Sequence, residues 1–170
     1  MYLDRYMPAD FLTLLRRDHC DLQQELTRLL DLTATVAELR SALDGVRLGL
    51  IAHAEAEDIV LGRFEGVPEL QLLVAQARAA HLAQEGALSA LVTARAGTAS
   101  WRERARHLRD LVVYYARQEE TMLVPALQQH AAPDEVAKLA GAFATERLRQ
   151  LAMMQPSAPA FAPFTIAEAM

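Results

Sequence analysis

The chain has 170 residues, enough for one domain with a proper core. Its net charge of −5, without a dense basic patch, argues against nucleic acid as a partner. No run of about 18 uninterrupted apolar residues occurs, so no segment is expected to span a membrane.

The start, MYLDRYMPADF, lacks a basic segment followed by an apolar core and does not read as a secretory signal. Cys20 is the single cysteine, which rules out an internal disulfide framework and suits a reducing cytoplasm. It is expected to be a small, semi-buried side chain. Leu and Ala abound and aromatics are scarce, a composition that favours an all-helical fold.

Apolar residues recur in alternating steps of three and four, as on a helix that faces other helices. The first inward line reads Leu12, Leu15, His19, Leu22, Leu26, Leu29. Thr35-x-x-Glu38 is an expected capping box, in which each side chain satisfies a free backbone N–H. The second line follows it: Val36, Leu39, Leu43, Val46, Leu50, His53, Glu57, Val60, Phe64. Gly66 suits a helix stop and Pro68 a first helical turn. The third line is Leu70, Val74, Ala77, His81, Gln84, Leu88, Leu91, with Gly97 as its stop. Ser100-x-x-Glu103 is a second expected capping box, opening Trp101, Ala105, Leu108, Val112, Tyr115, Glu119, Met122, Ala126. Pro133, followed by two acids, suits the start of a fifth helix running to about Met153. The expected fold is an all-α, up-down-up-down four-helix bundle over residues 1–153 with an added C-terminal helix. Residues 154–170, rich in Pro and Ala, are expected to form an extended tail, with Phe161 and Phe164 free to dock on the bundle.

The second hairpin repeats the first. His19, His53 and Glu57 correspond to His81, Tyr115 and Glu119, since 81−19, 115−53 and 119−57 all equal 62. The same offset relates the apolar positions, for example 39 to 101 and 50 to 112. Five His and Glu side chains and one Tyr therefore point into an otherwise apolar core. A lone buried carboxylate costs several kcal/mol or takes up a proton. Two carboxylates with three histidines need a compensating partner, and a metal ion supplies it. His53 and Glu57 lie about one turn apart on one helix face, so a single ion can meet both; Tyr115 and Glu119 share that relation. Singly, each residue has a plainer reading, as a hydrogen-bonded core histidine or a packed tyrosine. Six such groups in register on four helices favour metal over a metal-free polar core. His107 and His130 fall off the inward line and are expected to face solvent. Asp58 and Glu120 follow the inward carboxylates and suit surface or supporting roles. Gln84, whose counterpart is Leu22, could support a ligand or satisfy a backbone carbonyl.

The segments LLRRDHCDL, HAEAEDIVLGRF, ARAAHLAQEGAL and YYARQEETMLVPAL carry a resemblance to the hemerythrin-like family in its HHE cation-binding form. The likeness extends over about residues 9–150, including PDEVAKLAGAF. It implies a four-helix bundle around a non-haem di-iron centre: two iron ions, oxo- or hydroxo-bridged. It implies His19, His53 and His81 as terminal ligands, with Glu57 and Glu119 bridging. Zinc or manganese also suits these ligand types. Tyr115 stands where the family usually has its fourth motif histidine. It could bind as a phenolate, stand beside the metal as a hydrogen-bond donor, or mark a weakened second site; the first is preferred here.

The resemblance implies a protein that binds, senses or handles oxygen, peroxide or iron, with dioxygen, another small diatomic or peroxide as its ligand. Two alternatives stand beside it. One is a di-iron oxidoreductase that consumes peroxide or nitric oxide. The other is a metal-free helical interaction module.

Overall fold

The computed structural model describes residues 10–155. The first nine residues and the stretch from residue 156 on, including Phe161 and Phe164 of the expected tail, lie outside the described residues. Among the described residues there is no β-strand. Helix α1 spans Phe11–Arg28, α2 Val36–Leu61 and α3 Gln71–Val92. Helix α4 spans Ala99–Gln118 and passes through a π-helical turn, Glu119–Leu123, into α5, Val124–His130. Helix α6 spans Pro133–Met154.

Local chemistry explains most of these boundaries. Asp10 caps α1 by accepting from the Thr13 N–H at 2.7 Å. The expected capping box of α2 is present in both directions: the Thr35 N–H donates to Glu38 Oε2 at 2.7 Å, and the Glu38 N–H to Thr35 Oγ1 at 3.3 Å. Pro133 opens α6 with Asp134 and Glu135 in the first turn. Two expected starts move. Pro68 lies in a turn ahead of α3, which begins only at Gln71. The cap of α4 is Thr98, which accepts from the Trp101 N–H at 3.2 Å, and Ser100 with Glu103 falls inside the helix. Gly97 makes that entry possible: its φ of 80° is a left-handed conformation that other residues rarely adopt. At the end of α2 the chain tightens into a 3₁₀ turn, Gly62–Phe64, so Gly66 follows the helix instead of terminating it.

The fourth inward line changes at the π turn. Pro125 has no N–H to give and its ring crowds the carbonyl of Thr121, one turn earlier. The backbone upstream takes a wider bond, from the Val124 N–H to the Glu119 carbonyl. This spends one extra residue. Met122, expected inward, is 52% exposed, and Ala126 is only partly buried; Leu123, Val124 and Leu127 fill the core. Val60 and Phe64 now match Leu123 and Leu127, since 123−60 and 127−64 both equal 63. The 62-residue repeat thus holds as far as Glu120 and gains one residue beyond it.

The buried side chains form two apolar clusters. One joins Leu22, Leu26, Val46, Leu50, Leu91 and Trp101 with their neighbours. The other joins Leu15, Val60, Val74, Leu123, Leu127 and Phe143 with theirs. Each of the four helical rods contributes to both clusters; His19, His53, His81 and Glu119 fall between the two along the chain, and Glu57 at the edge of the second. Trp101 closes the first cluster, its indole N–H donating to the Leu29 carbonyl at 3.0 Å. Helix α6 lies against α2 and α1, where Phe143 meets the edge of Phe11 at 5.7 Å between ring centres.

Candidate metal centre

The polar layer is set by helix period. His19 sits between Leu15 and Leu22 on α1, and His53 and Glu57 sit between Leu50 and Val60 on α2. His81 follows Ala77 on α3, and Glu119 opens the π turn. All five are buried, Glu57 completely. They converge. His19 Nε2 lies 3.0 Å from Glu119 Oε2, His53 Nε2 3.3 Å from Glu57 Oε2, and His81 Nε2 3.5 Å from the same oxygen. His81 Nε2 is also 4.0 Å from Glu119 Oε1. Two overlapping triads have donor atoms mutually close enough to share an ion: His19, His53 and Glu119, and His53, Glu57 and His81.

With each imidazole proton on Nδ1, these near approaches are not hydrogen bonds. His19 Nε2, His81 Nε2, both Glu57 oxygens and Glu119 Oε2 are buried with no hydrogen-bond partner. Leaving one such group unpaired costs about 1–3 kcal/mol, more when it is charged. Five unpaired donor atoms facing a common space, all of types that bind divalent or trivalent metal, fit a cation between them.

The outer edge of each histidine is held by an acid from a neighbouring helical rod. His19 Nδ1 meets Glu120 at 2.8 Å, His53 Nδ1 meets Asp18 at 2.9 Å, and His81 Nδ1 meets Asp58 at 2.8 Å. A carboxylate at Nδ1 fixes the tautomer with its proton there and leaves Nε2 to face the site. Asp58 and Glu120 take the supporting roles expected of them and are themselves repeat partners, since 120−58 equals 62. Asp18 was not foreseen. It precedes His19, is 5% exposed, and also pairs with Arg147 of α6 at 2.5 Å. Its sequence signal was an acid one residue ahead of a ligand position, although its partner lies on another helix.

Charge follows this geometry. Burial opposes a proton on His19, but Glu119 and Glu120 outweigh it and raise the imidazole to about 9. Burial also works against His81, yet Asp58 and Glu57 push it up to about 10. Burial would raise Glu57; contact with His81, His53 and His19 instead holds it below the ordinary glutamate range. Glu119 is raised, first by burial and then by the charge of Glu57. Without a cation, protons on His19 and His81 offset the charge of the carboxylates.

Tyr115, the sixth expected residue, is half-buried. It borders a cleft with Glu119 and packs edge-on against Tyr114 at 5.1 Å between ring centres, but its hydroxyl is not one of the unpartnered buried atoms. Gln84 is buried one turn beyond His81, while His107 and His130 are exposed as expected. Cys20, expected to be semi-buried, is exposed and accepts from Gln24 Nε2 at 3.5 Å. One position beyond His19, it turns away from the inward line.

The family described as hemerythrin, with the hemerythrin HHE cation binding domain, matches residues 10–127. The chain belongs to this family. The matched span takes in every residue of the polar layer and stops before α6, short of the end near residue 150 expected from sequence. No curated protein and no solved structure matches the chain. The hemerythrin domain is a cation-binding module, and its histidines and glutamates here suit that use. No helix among the described residues is long and apolar enough to cross a membrane.

Proposed function

We propose that this hemerythrin-like protein holds two iron ions in its polar layer and uses them to bind, sense or handle oxygen, peroxide or iron. The observation that carries the reading is the set of five buried, unpartnered donor atoms facing one another. In this reading His19, His53 and His81 are terminal ligands, and Glu57 and Glu119 bridge. Asp18, Asp58 and Glu120 orient the three imidazoles. The division of each rod between the same two apolar clusters supports an up-down-up-down order for the bundle. The single free cysteine supports a reducing, cytoplasmic setting.

Bound there, iron would supply a redox-active centre able to meet a small oxygen- or nitrogen-containing ligand. The residues decide which use is favoured. We read Tyr115 as a phenolate ligand, supported by its register with His53 and its place beside Glu119. A ferric ion can strip the proton from a phenol whose free pKa is about 10. An anionic oxygen donor stabilises the ferric state, which favours peroxide chemistry or redox sensing over reversible oxygen carriage.

Anaerobic loading with ferrous iron, followed by elemental analysis, is expected to give two equivalents per chain; under half an equivalent would end the di-iron reading. Tyr115→Phe is expected to remove the visible phenolate-to-iron absorption of the ferric protein while iron stays bound. A spectrum identical to that of the parent would reject phenolate ligation and leave the other five ligands standing.

A further inference from the structure

Three of the breaks in the repeat distinguish the His53 flank of the layer from the Tyr115 flank. His53 corresponds to Tyr115. Its orienting acid Asp18 corresponds to Ala80, since 80−18 equals 62. Helix α6, which covers α2 and α1, has no counterpart on the second hairpin among the described residues. Beside His53 it places the Phe143 ring at 6.0 Å between centres and binds Asp18 through Arg147. One flank therefore carries a histidine, its carboxylate and a covering helix. The other carries a tyrosine and the methyl group of Ala80.

On that second flank α3 and α4 leave a cleft bordered by Ala77, Ala80, Tyr115, Glu119 and Met122. Its volume is about 20 Å³, room for one molecule the size of water. It ends on Glu119, whose side chain is 6% exposed and whose Oε2 has no partner. Two other openings approach the layer. The groove between α2 and α3 reaches the His81–Asp58 pair, and the cleft between α1 and α6 reaches Asp18. Neither is lined by Glu57 or Glu119.

We propose that small ligands reach the metal centre through the α3–α4 cleft, and that Ala80 and Met122 set its width. The class admitted is a diatomic molecule or a slender anion, carried past largely apolar walls to the Glu119–Tyr115 edge. The inference rests on the iron-centre reading above and adds a direction of entry to it. Ala80 has 1% exposure, so each added methyl projects into the cleft or its wall. Met122 is half-exposed at the rim, and shortening it opens the passage without removing core volume.

The test uses the full chain loaded with ferric iron and mixed rapidly with azide, with the new absorption band followed in time. Iron content and thermal midpoint are measured first for the parent and for Ala80→Val, Met122→Ala and Ala54→Val. The last fills the α2–α3 groove instead. With iron content equal, Ala80→Val is expected to slow azide binding about tenfold, equivalent to about 1.4 kcal/mol on the passage barrier. Met122→Ala is expected to speed it, and Ala54→Val to leave it at the parent rate. Equal rates for Ala80→Val, Met122→Ala and parent, slowing by Ala54→Val, or no azide band in the iron-loaded parent would each overturn the route while leaving the iron centre intact. A parent that takes up no iron would overturn the proposed function, and the route with it, before azide is added.

Discussion

Glu57→Gln is expected to abolish iron loading and to weaken the metal-free fold. Glu57 is fully buried and stands between two histidines, 3.3 Å from His53 Nε2 and 3.5 Å from His81 Nε2. Glutamine keeps the shape, loses the charge, and turns one acceptor into a donor facing His81, whose proton Asp58 and Glu57 stabilise. In the proposed di-iron reading Glu57 would offer its carboxylate oxygens to the metal, and an amide is a poorer, uncharged substitute. Elemental analysis after anaerobic loading should find less than half an equivalent. Breaking a buried ion pair by removing one member costs about 3–5 kcal/mol, so the urea midpoint of the metal-free variant should fall well below that of the parent. Full loading of this variant would remove Glu57 from the ligand set.

Asp18→Ala is expected to lower iron affinity about 10- to 100-fold without unfolding the chain. Asp18 holds His53 Nδ1 at 2.9 Å, and without it the imidazole loses its fixed tautomer and part of its orientation. Burial alone would raise the Asp18 carboxyl; His53 and Arg147 outweigh burial and keep it ionised. Arg147→Ala should therefore act in the same direction through Asp18, with a smaller effect, and Arg147→Lys should recover part of it. Competition with a coloured chelator measures all three. Unchanged affinity in Asp18→Ala would mean that packing against Phe143 suffices to aim His53.

The ring of five was legible because helix period carries it. An inward histidine or glutamate interrupts an apolar line, and the interruption recurs at a constant offset. What failed was whatever the period does not carry. Met122 was placed inward on the assumption of a uniform helix; Pro125, three residues on, was the visible sign that the ladder would widen there. Ser100 and Glu103 matched a capping pattern, but Gly97 turns the chain early enough for Thr98 to cap first. Asp18 and Arg147 escaped because their value lies in partners on other helices, which no local pattern reveals. Tyr115 could be read as an exception to the repeat; that Ala80 departs with it was visible only once Asp18 had a role.

No histidine of the site is aimed by an acid of its own helical rod: α1 is served from the π turn after α4, α2 from α1, and α3 from α2. The first hairpin alone would aim His53 but leave His19 loose, and the second alone would leave His81 loose. The first three rods suffice for the His53, Glu57 and His81 triad, but the complete site comes into being only when the last rod closes on the first. Capture of a full complement of metal would then report on completed folding.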